Sequence, residues 1–105
     1  MGRKTHLDHL KEFKDELNRD IPITKMILFG SRAKKKASRW SDFDLVVVSS
    51  KFRNKKPRYR GIGFHHYWNL DYPVDFLCYT PEEFEHKKKL IGIVKQAVEE
   101  GIEII

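Results

Sequence analysis

The feature that most constrains the fold is a short run at residues 44–49, Asp-Leu-Val-Val-Val-Ser. Its β-branched, nearly continuous apolar character predicts a central strand buried on both faces, since a half-exposed strand would alternate with polar residues. Such a strand needs neighbouring strands and covering helices, so we predict an α/β or α+β domain. The chain has 105 residues, 40% of them hydrophobic, which suits one core and a single domain over residues 1–105.

The remaining elements follow from periodicity and from their end signals. Apolar residues at helical spacing predict a first helix, and Thr80-Pro81-Glu82-Glu83 has the cap, proline and glutamate of a helix start. We predict three or four strands in one sheet. Strands are expected at 25–29, 44–49 and 74–79, with an edge strand at 102–105; helices are expected at 5–19, 32–37, within 57–70, from 80 to 89, and at 91–100.

Several classes of protein are excluded by composition. The longest apolar runs, at 45–48 and 90–94, are far below the roughly 20 residues of a membrane span. No apolar secretory core follows the first residues, so we expect a cytoplasmic protein with no membrane association. Cys78 is the single cysteine, which excludes an intrachain disulfide and a cysteine-based zinc site.

The net charge of +6 is concentrated in two segments. Residues 32–39 contain five basic side chains and residues 51–60 contain six, and neither segment has an acidic one. This clustering predicts a polyanionic partner, although two solvated basic loops would give the same pattern. Aromatic residues near the second segment also allow RNA contact by base stacking, or a helix that packs its aromatic face on the sheet: Tyr59, Phe64, Tyr67 and Trp68.

A glycine-serine pair stands at the predicted turn between the strand at 25–29 and the following helix. Gly30 would let the backbone approach a ligand closely, and Ser31 with the first helical amides would bind phosphate. A Gly-Ser helix cap is also common for purely structural reasons. Trp40, before the next strand, would either stack a nucleobase or anchor its loop.

Three aspartates are candidates for a metal site. Asp42 and Asp44 are two residues apart at a strand start, so their side chains project to the same side. Asp75 interrupts an otherwise apolar strand and would join them if the two strands are neighbours. Carboxylates held together require a cation, and Mg²⁺ suits carboxylates and phosphate oxygens. The structural alternatives are a solvated turn that contains Asp42 and Asp44, and an edge strand whose solvent-exposed face carries Asp75.

Together, these groups predict phosphoryl transfer. Two metal ions held by Asp42, Asp44 and Asp75 would clamp the attacking and leaving oxygens of an in-line displacement. Asp75 would lie near the incoming hydroxyl and accept its proton, and the turn at Gly30 and Ser31 would hold the triphosphate.

The spacing Gly30-Ser31, ten residues, Asp42-Phe43-Asp44 resembles the signature of the polymerase-beta-like nucleotidyltransferase superfamily. The chain looks like its minimal members from residue 24 onward, and the stretch from Tyr79 to Phe84 resembles archaeal ones. Lys35 departs from the pattern, because many members have glycine there. The resemblance implies a nucleotidyltransferase fold and Mg²⁺-dependent transfer of a nucleoside monophosphate from an NTP such as ATP. It also implies phosphate binding by Gly30, Ser31 and the motif arginine, Arg32.

Minimal members of that superfamily are commonly paired with a helical HEPN-domain ribonuclease, as the antitoxin that adenylylates a tyrosine of the toxin. The resemblance therefore implies a HEPN-domain partner for this chain. The small size independently suggests that the acceptor surface comes from another protein or from a second copy of the chain. Two alternatives stay open: a nucleotide-binding protein that neutralises its partner by masking, and an RNA-binding module built on residues 51–68.

Overall fold

The computed structural model describes residues 4–34 and 41–105. Its three α-helices are α1 (His6–Asp20), α2 (Pro81–Lys87) and α3 (Ile93–Glu100). Its four strands are β1 (Lys25–Phe29), β2 (Phe43–Val48), β3 (Val74–Tyr79) and β4 (Ile102–Glu103). They form one mixed sheet in the order β3-β2-β1-β4, which confirms the predicted α/β architecture.

Strand pairing fixes the direction of each strand. β1 pairs antiparallel with both β2 and β4, whereas β2 and β3 run parallel. A parallel pair needs a long connection, and here residues 49–73 supply it. That connection contains three short 3₁₀ helices, at Ser50–Asn54, Pro57–Tyr59 and Phe64–Tyr67, in place of the single helix predicted within 57–70.

Each face of the sheet has its own apolar layer. On one face, α1 contributes Leu10, Phe13 and Leu17 to a cluster with Phe43, Leu45 and the 3₁₀ segment. On the other face, α2 and α3 cover Ile27, Val46 and Val48. β2 is buried along almost its whole length, as its apolar sequence predicted.

The helix ends follow the sequence signals. Thr5 and Thr80 each accept a hydrogen bond from the backbone N–H three residues later, while the carboxylate at that position accepts one from the threonine N–H. Gly101 follows the last residue of α3, at a position where a Cβ would collide with the Ala97 carbonyl oxygen. In the described part of the chain, no helix is long and apolar enough to span a membrane.

Candidate active site

The structure brings the three predicted aspartates to one edge of the sheet. Asp44 near the start of β2 is the direct register partner of Asp75 on the parallel strand β3. Asp42 precedes Asp44 by two residues, so both side chains project toward the face covered by α2 and α3. Asp44 is half-buried, whereas Asp42 and Asp75 are exposed at the open end of the site.

The Gly-Ser turn closes the same edge. Phe29, the last residue of β1, pairs with Asp44, so Gly30 follows directly beside that carboxylate. Gly30 has φ +77°, and a Cβ there would lie 2.7 Å from Asp44 Oδ2. The backbone conformation therefore favours glycine, and any other residue here would displace the Asp44 carboxylate.

The chain after Gly30 forms a tight turn. The N–H of Ala33 donates to the Gly30 carbonyl at 3.1 Å, and the N–H of Lys34 donates to the Ser31 carbonyl at 3.2 Å. Ser31 is exposed at the start of this turn. The helix predicted at 32–37 is represented by turn geometry up to Lys34, and its remainder lies outside the described residues, as do Lys35 and Trp40.

Arg32 does not join the aspartates. Its guanidinium donates to the Ser41 carbonyl at 2.7 and 3.1 Å and lies 4.5 Å from the ring centroids of both Phe43 and Tyr72. The Phe43 ring belongs to the face that α1 covers, opposite to the face of Asp44. Arg32 therefore fixes the backbone just before Asp42, a positioning contact that the sequence did not predict; phosphate binding by Arg32 stays a prediction.

The electrostatics of the edge are those of crowded negative charge. The pKa of Asp44 is raised from its ordinary value of 3.8, chiefly because burial disfavours the charged form, and further because Asp75 and Asp42 repel its charge. No cation among the described residues offsets these effects in Asp44. The carboxylate is held where a positive charge would stabilise it.

The residue types at this edge fit a magnesium ion. Carboxylate oxygens are its preferred protein ligands, and one or two of them usually act with substrate phosphates. Among residues 4–34 and 41–105, no three His, Cys, Asp or Glu side chains form a preassembled metal cluster. An open carboxylate edge of this kind suits an ion that arrives with a nucleotide better than a closed structural site.

Ion pairs within the chain neutralise part of the charge of the second basic segment, residues 51–60. Arg60 is 5% exposed and its guanidinium donates to both carboxylate oxygens of Glu83 and to the Cys78 carbonyl. Arg53 pairs with Glu82 on the surface. The sequence counted these arginines toward a polyanion surface, but their charges are compensated, because α2 places two glutamates beside them.

The aromatic residues of the same region pack in the interior. Phe64 is buried, Tyr67 and Trp68 pack against the α1 cluster, and the Trp68 indole N–H donates to the Tyr72 carbonyl at 2.8 Å. Tyr59 is exposed, with the Arg58 guanidinium 4.9 Å from its ring centroid. Packing on the sheet thus accounts for three of the four aromatics considered for RNA contact.

Cys78 has no reactive character. Burial raises the pKa of its thiol to about 12, although the charge of Arg60 acts in the opposite direction. At neutral pH the side chain is therefore a protonated, partly buried group that packs against the α1 cluster.

A glycine-serine turn beside Asp44, with Asp42 and Asp75 at the same edge of a mixed sheet, combines groups that can bind a phosphate ester and a divalent metal ion. A family model for the nucleotidyltransferase domain matches residues 10–104, and the chain belongs to this family. Its members transfer a nucleoside monophosphate from a nucleoside triphosphate and generally use a divalent metal ion.

Comparison with solved structures shows the same fold. The chain is similar to a crystal structure described as a "putative nucleotidyltransferase from Sulfolobus solfataricus", with a TM-score of 0.65 and 19% sequence identity. The match covers 98% of this chain and 89% of that one. A search of curated proteins gave no significant match.

Proposed function

We propose that this chain is a Mg²⁺-dependent nucleotidyltransferase that transfers AMP from ATP to an acceptor hydroxyl, and that the acceptor is a tyrosine of a HEPN-domain toxin. On this proposal the chain acts as the antitoxin. One observation carries the chemistry: Asp44 and Asp75 are register partners beside the Gly30 turn, with Asp42 on the same face.

The residues take distinct roles at this edge. The turn at Gly30 and Ser31 offers backbone N–H groups and a hydroxyl to the triphosphate. Asp42 and Asp44 would hold the metal, with Asp75 completing the ligand set. When bound, the divalent ion supplies positive charge that stabilises the charge developing on the phosphate oxygens.

Asp75 is placed to accept a proton. It is exposed and lies on the outermost strand, so an acceptor can reach it without crossing the sheet. The acceptor oxygen forms a bond to the α-phosphorus of ATP, the bond from that phosphorus to the bridging oxygen breaks, and pyrophosphate leaves. Asp75 accepts the hydroxyl proton and passes it to water.

The choice of ATP, tyrosine and a helical toxin is supported by the resemblance of this short chain to minimal nucleotidyltransferases, in addition to the superfamily spacing from Gly30 to Asp44. The internal neutralisation of Arg53 and Arg60 supports a protein acceptor over RNA, because it removes two cations from the segment that would bind a phosphate backbone.

The test is label transfer from α-³²P-ATP, with Mg²⁺, into an extract of the source cells. Asp44→Asn is the inactive variant, and Asp71→Asn, an exposed aspartate outside the site, is its matched control. Label entering one small protein with wild type and Asp71→Asn, but not with Asp44→Asn, supports the proposal.

Two other results would change it. Ribonuclease-sensitive label would keep the transferase and replace the protein acceptor by RNA. If no label is transferred while Mg²⁺–ATP still binds and the partner is present, the chain acts by masking instead of catalysis.

A further inference from the structure

The outer edge of β3, the strand that contains Asp75, is unpaired at Val74 and Phe76 within the described part of the chain. β3 is the last strand of the sheet on its side. The hydrogen bonds from Phe43 N–H to the Pro73 carbonyl (2.9 Å) and from Ser49 N–H to the Tyr79 carbonyl (3.1 Å) fix which residues face β2. In a parallel ladder the backbone N–H and C=O groups of alternate residues point away from the partner strand. In β3 these residues are Val74, Phe76 and Cys78.

The outward backbone groups differ in their partners. The Cys78 carbonyl accepts a hydrogen bond from Arg60 at 3.2 Å. The outward N–H and C=O groups of Val74 and Phe76 have no hydrogen-bond partner within residues 4–34 and 41–105. An unpaired row of this kind is a template for another strand.

A groove follows this edge and reaches the candidate active site. Its cavity of about 440 Å³ is lined by residues of β3 and of the 57–65 segment, including Arg58, Ile62, His65, Val74, Asp75 and Phe76. Asp75 thus belongs both to the groove and to the carboxylate edge, so a molecule in the groove lies beside the reacting groups.

We infer that this groove binds an extended polypeptide segment that carries the acceptor hydroxyl and adds to β3 as a further strand. The inference rests on the proposed function, and it assigns the acceptor site and its substrate class. Backbone pairing to Val74 and Phe76 would supply affinity, as in other cases of strand addition. A residue of the added strand opposite Asp75 would present its hydroxyl on the face of the three aspartates.

The groove walls indicate the composition of the segment. Ile62 is 71% exposed and offers an apolar contact. Arg58 is exposed and has no acidic partner within the described part of the chain, in contrast with Arg53 and Arg60. Arg58 therefore selects an acidic residue near the acceptor. The Phe76 ring already packs against Phe13 and Phe64, so it offers no free face for stacking a nucleobase.

The first test is binding, which does not depend on catalysis. ¹⁵N-labelled protein is titrated with two end-blocked peptides, Glu-Val-Tyr-Val-Glu and Lys-Val-Tyr-Val-Lys, and with a single-stranded RNA oligonucleotide. The acidic peptide should shift the amide signals of Val74 and Phe76 and bind about tenfold more tightly than the lysine peptide. Absence of shifts along β3, or tighter binding of RNA at this edge, would overturn the inference.

Two pairs of variants locate the contacts. Val74→Pro removes an outward N–H while leaving the β2–β3 ladder intact, and should weaken binding of the acidic peptide about tenfold or more; Val74→Ala keeps that N–H and should lose less than about threefold. Arg58→Glu should reverse the peptide preference, whereas Lys56→Glu, with the same charge change outside the groove, should not. Equal loss of peptide binding in Val74→Pro and Val74→Ala would contradict the proposed backbone pairing. An equal change of peptide preference in Arg58→Glu and Lys56→Glu would contradict the role of Arg58.

Labelling of the same peptides from α-³²P-ATP separates the two proposals. Edge binding by the peptide without labelling of any acceptor supports the groove and contradicts the transferase. Labelling of a cellular protein that is unaffected by Val74→Pro, in a variant shown to be folded, supports the transferase and overturns the groove.

Discussion

The carboxylates at the two ends of β3 have opposite electrostatic surroundings. At its start, Asp75 lies beside Asp44, and the pKa of Asp44 is raised by burial and by neighbouring carboxylates. Past its end, Glu83 pairs with the buried Arg60, whose hydrogen bond is the main cause of a lowered pKa in Glu83. Within residues 4–34 and 41–105, no cation offsets the charge at the first end, whereas an arginine pairs with the carboxylate at the second.

This difference separates a candidate site from a structural contact. A buried arginine must be hydrogen-bonded and paired to be tolerated, and Arg60 meets both conditions with Glu83 and with the carbonyls of Lys55 and Cys78. Carboxylates crowded without a cation cost stability and are retained where a ligand supplies the charge.

The largest effect is expected from the aspartate on the open edge. Asp75→Asn removes the proton acceptor and should lower the rate of nucleotidyl transfer by about 10²–10⁴-fold while leaving the fold intact. Initial rates of label transfer, with a thermal melt of the same sample, measure both. Asp71→Asn should retain the wild-type rate; equal rates for Asp75→Asn and wild type would remove Asp75 from the mechanism.

Removing the ion pair between Arg60 and Glu83 should lower the stability of the fold instead of the rate of nucleotidyl transfer. Arg60→Ala leaves Glu83 and two carbonyls without their donor and should lower the free energy of unfolding by about 2–4 kcal/mol. Urea denaturation followed by circular dichroism measures the difference. The exposed pair Arg53–Glu82 is the control, and Arg53→Ala should leave the midpoint almost unchanged.

The pH dependence of that difference has a definite sign. Because the folded-state pKa of Glu83 is depressed below its ordinary value of 4.5, the pair contributes stability above that value. The contribution is lost as pH falls through the folded-state pKa. Wild type and Arg60→Ala should therefore converge in acid, and a gap that widens there would contradict the assignment of Glu83.

A smaller effect is expected at the turn that meets Asp44. Gly30→Ala places a methyl group 2.7 Å from Asp44 Oδ2 at a φ of +77°, and should cost about 1–2 kcal/mol of stability. Displacement of the carboxylate should also reduce transfer activity. Gly63 has φ +90° with nothing within 4 Å of a Cβ, so Gly63→Ala separates backbone strain from contact with the carboxylate.

The smallest effect is a gain in stability. Asp44→Asn removes a charge that burial, Asp75 and Asp42 disfavour, so without metal it should raise the melting temperature at neutral pH by a few degrees at most, because solvent screens this group. Since the folded-state pKa lies above 3.8, the gain is present above the folded-state pKa and disappears below the ordinary value. Differential scanning calorimetry between pH 3 and pH 7 measures it; a loss of stability at neutral pH would contradict the repulsion among the aspartates.

The sequence predicted the local elements well where a few neighbouring residues decide them. The β1 and β3 bounds match the predicted ranges, and β2 begins one residue earlier than predicted. The capping box at Thr80 starts α2 as predicted, although α2 ends at Lys87 and α3 begins at Ile93. These elements follow from short apolar runs and from cap chemistry, which act over a few residues.

The region between β2 and β3 was less predictable. Residues 57–70 combine helical spacing with Gly61 and Gly63, and the chain folds as short 3₁₀ turns. Arg60 can be buried there because its guanidinium donates hydrogen bonds to Glu83 and to two backbone carbonyls. Each of these acceptors comes from a distant or irregular segment. No local pattern in the sequence distinguishes Arg60 from the exposed Arg58.

The chemical groups can be identified from the amino-acid sequence alone: a glycine-serine turn, three aspartates, and strands long enough to hold them. Their spacing along the chain, and the alternation of side chains on a strand, placed Asp42 and Asp44 on one side. The fold places β2 and β3 side by side and parallel, and this arrangement pairs Asp44 with Asp75. It also decided which cations are compensated, because ion pairs between remote segments depend on packing that local propensities do not encode.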